Sequence, residues 1–452
     1  MSEIKKISDH SYAAHCDDGR VYTLSSHVGN SVESAFVNFA GRQNWENWHQ
    51  QVGGYRIVPY GPDNLLPSHL RNIVDENNLV PGIIERQIGL LFGQGVFLNR
   101  LVFRDGEISH EWTDDPEIRE WLESWDHISY IKGCMTDYLH LKGFFNSVHL
   151  TRGHRIGREP RIAYLEHIPA KNARLEWTDT RRLADVRHII VGDFENYCTT
   201  TGARAYPVYD RKNPGRYAVS ASYNSTYSYA RDFYSVPQFW GALRWIVRGS
   251  EIPLIFKYVT DNGLNLAYHI HSTSAYWDFR REALRNAHPD WSEAEVEKEI
   301  GQITKKLLDS MTEVLTGKEN AGKFFHTIDI VDDMGHVTEW KIEAVDQKIK
   351  DFVDSQLKIS EASVSAITSG MGLHPSLSNI MVNGKLASGS ELLYAFKLYL
   401  HSDVEIASQT ILEPLNQAIA FNFPGKDLRL AFYHKSIQSE EALTSSDRLK
   451  NQ

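Results

Sequence analysis

Cysteine is scarce in this sequence. Its 452 residues include three cysteines, Cys16, Cys134 and Cys198, whose number and spacing match neither a disulfide framework nor a metal-binding motif. Small secreted proteins that depend on disulfides carry many cysteines in even number. The cysteine content therefore excludes that class and is typical of a protein that folds in a reducing compartment, so we expect assembly in a cytoplasm.

Long apolar runs are also missing. The most apolar stretches, residues 83–98 and 252–259, are interrupted by charged side chains such as Glu85, Arg86 and Lys257. A membrane-spanning helix needs roughly 20 predominantly apolar residues. The N-terminal residues also lack the apolar core and small-residue cleavage site of a secretory signal. We therefore expect a soluble protein without membrane partners.

Positive charge is in deficit. The chain has 48 Lys and Arg residues against 58 Asp and Glu residues, a formal net charge of -10 at pH 7. Tight binding to nucleic acid without sequence preference needs a basic surface that neutralises phosphates. The balance excludes a protein that coats nucleic acid through bulk charge, and any contact with DNA must be local or transient.

What the sequence does have is the composition of an ordinary folded protein. Hydrophobic residues make up 42% and charged residues 23%, which excludes disordered and collagen-like chains. The length allows about two to four structural units with cores of their own.

Helical and strand patterns alternate along the chain and predict an α+β protein. The first 69 residues show little periodicity and predict an arm. Apolar residues at helical spacing follow over 83–91 and 116–143, and period-two alternation over 144–209 predicts antiparallel strands. Near the C-terminus, the pattern predicts a helix over 390–421 and a strand over 428–433.

Two long predicted helices enclose a compact segment of mixed pattern. The first covers 236–259 and contains Pro253, which lacks a backbone N–H and is expected to kink or end it. The enclosed segment, 264–342, contains a strand, two helices and a hairpin, and Ser292 and Glu295 form a capping box. The second helix covers 346–368, and a glycine-punctuated stretch follows to residue 389 that is too long for an ordinary turn.

One short motif suggests nucleotide chemistry. Gly317, Gly322 and Lys323 match the GxxxxGK spacing of a phosphate-binding loop. Phe324 stands where a Ser or Thr would bind Mg²⁺, and the loop follows a helix and precedes a strand, which reverses the order that such loops require. We interpret the segment as a connection without a phosphate role.

Other candidate sites have ordinary structural explanations. His269 and His271 share one face of a predicted strand, but no further ligand at metal-binding spacing completes a set. Two pairs of acidic residues lie at a predicted helix start and a predicted turn, where capping explains them: Asp114 with Asp115, and Asp332 with Asp333. Catalytic motifs are missing, so we expect no enzyme activity, catalytic residue, metal or cofactor.

The order of elements resembles the portal protein of tailed bacteriophages. Several segments, from about residue 60 to the C-terminus, carry the resemblance together with that order. They are Tyr60-Gly-Pro-Asp-Asn-Leu-Leu-Pro67 before a helix ending in Leu91-Phe-Gly-Gln-Gly95, Ser235-Val-Pro-Gln-Phe-Trp-Gly-Ala-Leu243 at the start of the first long helix, residues 359–375, Ala387-Ser-Gly-Ser-Glu391, and Leu412-Glu-Pro-Leu-Asn416.

The resemblance implies the portal fold, with a mixed wing domain, two long stem helices, an inserted α/β clip and a tunnel loop. The implied ranges are an N-terminal arm 1–69, wing 70–234, first stem helix 235–262, clip 263–345, second stem helix 346–368, tunnel loop 369–389, a helix and strand returning to the wing 390–434, and a polar tail or minimal crown 435–452. The insertion is larger than the usual portal clip, and the chain after Leu412 is short.

The resemblance also implies a function and partners. A portal protein is a homododecameric head-tail connector at the unique vertex of the virion, assembled in the host bacterial cytoplasm. It conducts double-stranded DNA during genome packaging and ejection. Its implied partners are the terminase large subunit, the head-tail adaptor, and the major capsid and scaffold proteins that take part in capsid assembly.

Two sets of residues would then face DNA. On the tunnel loop they are Asn379, Asn383 and Lys385, and on the second stem helix they are Lys348, Asp351, Lys358 and Glu361. A channel of mixed charge, acidic overall, lets DNA slide because phosphates find no deep binding well. Considered alone, the second set is more typical of a solvated helix face than of a channel lining.

Two other classes of protein stay open at this point. One is a nucleotide-binding enzyme that uses the loop at Gly317, and the other is a ring-forming scaffold that does not conduct DNA.

Overall fold

The computed structural model describes most of the chain. The described residues are 3–8, 11–15, 21–25, 45–104, 106–153, 159–195, 202–262, 268–272, 274–316, 330–331, 337–338, 341–344, 349–378 and 389–435. They contain helices and strands in mixed order, which confirms the α+β prediction. In this part of the chain, no helix is long and apolar enough to cross a membrane.

The N-terminal residues are not a simple arm, which corrects the prediction for 1–69. Strands β1 (Glu3–Ser8), β2 (Ser11–His15) and β3 (Val21–Ser25) form an antiparallel sheet. Strands β4 (Gln50–Val52) and β5 (Tyr55–Ile57) form a hairpin. Trp45, Tyr60 and Leu66 are fully buried in the main core, so residues from 45 onward belong to the folded body.

Two short helices follow. Helix α1 (Leu66–Asp75) and helix α2 (Val80–Phe92) each have a proline in the first turn, where the missing N–H would have no helical partner in any case. Buried residues recur at helical spacing along α2, and they are Val80, Ile83, Ile84, Gln87 and Leu91. Glycine ends α2 at Gly93, as its sequence pattern predicts.

A three-stranded antiparallel sheet joins distant parts of the chain. Its order is β18–β6–β7, formed by β6 (Val96–Arg104), β7 (Glu107–Trp112) and β18 (Arg429–Phe432). Helices α3 (Pro116–Glu123) and α4 (His127–Leu141) follow β7. Helix α4 packs against the next sheet through a buried stripe that contains Ile131, Met135 and Tyr138.

The predicted period-two region forms two antiparallel sheets. The first has the order β13–β8–β9 and contains β8 (Gly143–Leu150), β9 (Ile162–Ile168) and β13 (Val219–Ser225). The second has the order β10–β11–β12 and contains β10 (Ala173–Leu175), β11 (His188–Val191) and β12 (Arg204–Pro207). The prediction of antiparallel strands is therefore confirmed.

The first long helix, α5 (Leu243–Asn262), follows a 3-10 turn over Gln238–Ala242. It continues through Pro253 for nine further residues, so the proline does not end it. The enclosed segment then contributes β14 (Tyr268–His271), α6 (Ser274–Ala287), α7 (Glu293–Thr316), β15 (Ile330–Val331), β16 (Val337–Thr338) and β17 (Lys341–Ala344).

The hairpin predicted near residue 330 is confirmed only in part. Strand β15 pairs with β16, as expected. Strand β17, which the prediction joined to the same hairpin, pairs instead with β14. The reason is geometric, because β14 and β17 share a four-residue antiparallel register that a strand as short as β15 cannot offer.

The second long helix, α8 (Ile349–Met371), ends three residues beyond the predicted bound. Part of the predicted loop after it is packed, since Leu373 and Leu377 are buried in the main core. The last helix, α9 (Gly389–Asn422), matches its predicted range closely and contains Pro414.

The chain divides into two compact units. The first contains residues 1–250 and 361–452, and the second contains residues 251–360. Both passages between the units therefore lie inside long helices, within α5 and within α8. The main buried core lies in the first unit and includes residues from α1, α2, α4, α9 and the three-stranded sheets.

Candidate functional site

The turn at residues 60–67 is built around one buried cation. Asn64 adopts a left-handed backbone conformation with φ 68°, and its side chain accepts a hydrogen bond from the backbone N–H of Tyr60 at 3.0 Å. The Nε of Arg174 donates to the same side-chain oxygen, and Nη2 of Arg174 donates to the backbone carbonyl of Asn64. The turn is therefore attached directly to strand β10.

Arg174 is 1% exposed, and it donates hydrogen bonds to backbone carbonyls and to the side-chain amide oxygen of Asn64. Its Nη1 donates to the carbonyls of Ala170 at 3.0 Å and Ala173 at 2.7 Å. The guanidinium also lies 4.3 Å from the ring centroid of Phe194. Burial lowers the pKa of Arg174 to about 10, so it stays charged at neutral pH and binds carbonyl oxygens as a cation.

A cluster of tyrosines joins this turn to the segment that leads into α5. The rings of Tyr60 and Tyr234 stack with centroids 4.0 Å apart. The Tyr234 hydroxyl donates to the Val58 carbonyl at 2.9 Å, and the Ser235 hydroxyl donates to the Leu141 carbonyl at 2.8 Å. Burial raises the pKa of Tyr60 and Tyr234, so both hydroxyls stay protonated. Two segments that carry the portal resemblance thus meet here.

A buried carboxylate holds the same entry segment from the other side. Glu46 is fully buried, and it accepts backbone hydrogen bonds from Asp232 at 2.8 Å, Phe233 at 3.1 Å and Tyr234 at 2.8 Å. Three consecutive backbone N–H groups thus donate to one carboxyl group. Glu46 therefore fixes the chain directly before α5.

The end of α2 is joined to the C-terminal strand. Gly93 has φ 55°, and a Cβ at this position would lie 2.5 Å from the Tyr433 carbonyl oxygen. The N–H of Gln94 donates to the Tyr433 carbonyl at 2.9 Å, and the N–H of Tyr433 donates to the Gly95 carbonyl at 2.8 Å. The close approach requires glycine at residue 93.

The C-terminal end of α8 is held in a similar way. The Gln87 side chain donates to the Met371 carbonyl at 2.9 Å, and Arg86 donates to the Leu377 carbonyl at 3.2 Å. A Cβ at Gly370 would lie 2.5 Å from the Cβ of Ala242. The start of the predicted tunnel loop is therefore anchored on α2.

The Leu412–Asn416 segment of α9 packs on the last strand. Leu412 and Leu415 are fully buried. The Asn416 side chain accepts from the N–H of Leu430 at 2.7 Å and donates to its carbonyl at 3.2 Å. This motif, like the others, is a junction between segments that are far apart in the sequence.

A charged stripe runs along the side of α8 that faces away from its buried residues. Asp354, Lys358 and Glu361 are exposed and are spaced four and three residues apart, which places them on one helix face. Ser363, Ile367 and Met371 are buried on the opposite face. Its spacing from Val353, Val364 and Ile367 in the sequence predicts that Leu357 lies on the apolar side, but Leu357 is 49% exposed, because it lies between the two faces.

Several predicted site residues fall outside the described structure. Asn379, Asn383, Lys385 and Lys348 lie outside the described residues, and Asp351 lies within α8 without a described side chain. The segment from Gly317 to Lys323 also lies outside them, directly after α7. Lys358 and Glu361 are the predicted site residues whose exposure the structure gives.

The capping prediction is confirmed for Asp115, whereas Asp332 and Asp333 lie outside the described residues. The Asp115 side chain accepts from the N–H groups of Glu117 and Ile118, each at 3.1 Å. A hydrogen bond from Lys426 is the main reason that the pKa of Asp115 is lowered. One half of the capping box also forms, because the N–H of Ser292 donates to the Glu295 carboxylate at 2.8 Å, and the Ser292 hydroxyl donates to the same carboxylate.

The described residues offer no assembled metal centre. No group of three or more His, Cys, Asp and Glu side chains among them is arranged to hold a metal ion. Burial raises the pKa of the Cys134 thiol, which disfavours the reactive thiolate.

A polar groove of about 490 Å³ lies between α9 and the β18–β6–β7 sheet and is lined in part by Glu405, Glu413 and Arg429.

Sequence patterns did not reveal Arg174 or Glu46. Arg174 lies in a three-residue strand and Glu46 between two tryptophans, and nothing in either pattern marks a buried charge. Their partners lie 110 and 186 to 188 residues away. The only available signal was that each charge stands inside an apolar or aromatic context.

Comparisons with known proteins give structural similarity alone. No protein-family model matches the chain, and no curated protein matches it. Among solved structures, it is similar to a chain in the neck of a native GTA particle computed with C12 symmetry, with 12% identity, a TM-score of 0.45, and coverage of 81% of this chain and 84% of that one.

Two further solved structures show a similar degree of likeness. A chain in the neck of an empty GTA particle computed with C6 symmetry has 12% identity, a TM-score of 0.46, and coverage of 81% of this chain and 83% of that one. A chain in the virion of a native gene transfer agent particle has 13% identity, a TM-score of 0.46, and coverage of 94% and 93%.

Proposed function

We propose that this chain is the portal subunit of a tailed phage-like particle. In that role it forms the ring at the unique vertex of the head and conducts double-stranded DNA during packaging and ejection. The observation that carries the proposal is the connection of the two units. A compact second unit is inserted into the first through two long helices, and a further long helix returns to the first unit's core.

The position of the motifs supports the same proposal. The segments at 60–67, 235–243, 359–375 and 412–416 resemble segments of portal proteins, and in the structure they contain residues that form junctions of the first unit. Such junctions set where the long helices leave the core. The resemblance therefore involves residues that determine the fold.

In this proposal the wing is 70–234, the stem helices are α5 and α8, the clip is 263–345, and the tunnel loop includes Asn379, Asn383 and Lys385. The charged stripe of α8 lines the bore. Its order of an acid, a base and an acid gives phosphates no continuous basic track, so DNA slides without being held. Partners are the terminase large subunit, a head-tail adaptor, and capsid and scaffold proteins.

Assembly is the first test. Purified full-length protein is imaged by electron microscopy, and its mass is measured by native mass spectrometry. The expected result is a closed ring of twelve-fold symmetry, with a mass that is a multiple of 51.7 kDa and a bore wide enough for duplex DNA. Monomer alone over a wide concentration range contradicts the proposal, and a ring with a narrower bore favours the non-conducting scaffold.

DNA conduction needs a separate test in a reconstituted packaging system. Deletion of residues 379–385 is expected to preserve rings and to impair translocation or retention of DNA, because the loop supplies the polar contacts to phosphates. Lys323→Ala is the matched control and should leave packaging unchanged, since the motor subunits hold the nucleotide. Loss of packaging in Lys323→Ala rings would instead support a nucleotide site at Gly317.

A further inference from the structure

Helix α5 concentrates helix-weakening residues where the chain leaves the first unit. The division between the units lies between Ser250 and Glu251. Gly249, Ser250 and Pro253 all fall within one and a half turns of this point. Sharp helix bends occur mainly at prolines and at Gly/Ser pairs, and α5 has both at the boundary.

The turn before the boundary is held firmly. The buried Asn77 side chain donates to the Ile246 carbonyl at 2.9 Å, and the Ser363 hydroxyl donates to the Trp245 carbonyl at 2.8 Å. A Cβ at Gly249 would lie 2.9 Å from the Ser363 Oγ, so α5 and α8 are in close contact here. Residues 245–249 are thus fixed to the first unit.

The turn after it is weakened. The Ser250 hydroxyl donates back to the Ile246 carbonyl at 3.1 Å, a contact that tends to bend helices. Pro253 has no N–H, so the Gly249 carbonyl lacks its usual helical donor, and the proline ring crowds that carbonyl. Ile252 is buried, but Pro253 and Leu254 are exposed, so packing supports only one side of this turn.

The return passage is different. Helix α8 crosses between Ser360 and Glu361, and from 349 to 369 it contains neither glycine nor proline. One connection between the units is therefore an uninterrupted helix, and the other contains a weak point directly after a fixed turn.

We propose that residues 249–253 form a hinge on which the second unit changes orientation while the first unit stays folded. The uninterrupted α8 limits the amplitude, so the motion is a bend and not a free rotation. Such a hinge needs no large change in backbone conformation, because a few residues at an element boundary absorb it. The inference rests on contacts within α5 and its neighbours and does not depend on DNA conduction.

Hydrogen exchange of the full-length protein tests the weak point. In the parent, the amides of residues 254–257 should exchange faster than those of 246–249. Pro253→Ala restores an N–H and should slow exchange over 254–257 by about tenfold or more. Pro414→Ala in α9 is the matched control, since that proline lies between the fully buried Leu412 and Leu415, and it should leave 254–257 unchanged.

Distance measurements test the motion itself. Spin labels are placed at the exposed positions 123 and 286 through Glu123→Cys and Asn286→Cys, with Cys16→Ser and Cys198→Ser, and labelled chains are diluted into unlabelled protein. The parent should show a broad distance distribution, which Pro253→Ala narrows and Pro414→Ala does not. Pro253→Ser, which also restores the N–H, serves if the alanine variant does not fold.

Two results would contradict the hinge proposal. The first is equal protection of 246–249 and 254–257 in the parent protein. The second is an equally narrow distance distribution in the parent and in the Pro253 variants. Neither result bears on whether the protein forms a DNA-conducting ring, so the two proposals fail independently.

Discussion

The two units are stabilised over very different distances along the chain. In the first unit, buried groups join segments that are far apart, such as Arg174 with Asn64 over 110 residues and Asn422 with Ile162 over 260 residues. In the second unit, ion pairs between neighbouring helices span 16 residues for Arg281 with Glu297 and 8 residues for Arg285 with Glu293.

This comparison indicates which contacts contribute most to the free energy of unfolding. Exposed ion pairs such as those between α6 and α7 are worth about 0–1 kcal/mol each. A buried charge that loses its partners costs several times more, because the remaining groups are left unpaired away from water. We therefore expect mutations at the junctions of the first unit to affect folding far more than mutations of the ion pairs in the second.

The largest effect is expected for Arg174→Met. The methionine fills much of the space but leaves the carbonyls of Ala170, Ala173 and Asn64 without their donor, at a cost of about 1–3 kcal/mol in unfolding free energy for each unpaired carbonyl. Urea denaturation measures it, and Arg182→Met, whose side chain is 71% exposed, is the matched control. Equal effects of the two variants would remove the contrast between buried and exposed charges.

A smaller loss is expected for Gly93→Ala. The backbone of residue 93 has a positive φ of 55°, which an alanine tolerates poorly, and the new Cβ would lie 2.5 Å from the Tyr433 carbonyl oxygen. Together these effects should lower the unfolding free energy by about 2–4 kcal/mol. Gly89→Ala on the same helix has no atom within 4 Å of the new Cβ and should instead stabilise by about 1 kcal/mol. Thermal denaturation distinguishes the two, and a neutral Gly93→Ala would show that the junction with β18 is loose.

Acid should weaken the first unit through Glu195. Hydrogen bonds from Ser68 and Lys171, together with the charge of Arg71, lower the pKa of Glu195 to about 2 from an ordinary value of 4.5. Because the folded pKa is the lower one, this contribution is fully present above pH 4.5 and is lost as pH falls towards 2.

Glu195→Gln should therefore flatten the dependence of unfolding free energy on pH between 4.5 and 2. Denaturant titrations at several pH values measure the slope. Glu293→Gln, in an exposed pair of the second unit, provides the comparison. If both variants change the slope equally, Glu195 contributes no more to the pH dependence of unfolding free energy than the exposed Glu293 does.

The smallest effect is expected for Arg285→Gln in the second unit. Its pairing with Glu293 at 2.9 Å involves two exposed side chains, so the loss in unfolding free energy should be small because solvent screens the pair, and it should shrink further in high salt. Denaturation at low and high salt checks both statements. A loss comparable with that of Arg174→Met would mean that the ion pairs hold the second unit together.

Local features of the fold were predictable from the sequence. The caps at Asp115 and Ser292, the strands over 143–191 and the range of α9 follow from residue spacing and short-range hydrogen bonding. These features depend on residues a few positions apart. Their physical causes can therefore be identified without knowledge of the fold.

Features that depend on distant partners were not predictable. The predicted arm at 1–69 includes Trp45 and Glu46, whose burial requires partners from 231–240. Leu357 was assigned to the apolar side of α8 by its spacing, yet it is half exposed. Of the candidate site, the sequence predicted the charged face of α8, while the role of Arg174 depends on its surroundings in three dimensions.

The sheet that contains β6, β7 and β18 can be completed only late in translation, because its strands come from distant parts of the chain. Asn99 on β6 hydrogen-bonds to Arg429 on β18, and 330 residues separate them. At roughly 5–20 residues per second, a ribosome needs about 15–65 seconds to cover that distance. The second unit is translated completely within this interval, whereas Leu98 on β6, which is 5% exposed in the folded chain, cannot pair with Leu430 on β18 before its end. We therefore expect the first unit to complete its fold only after the second unit has been translated.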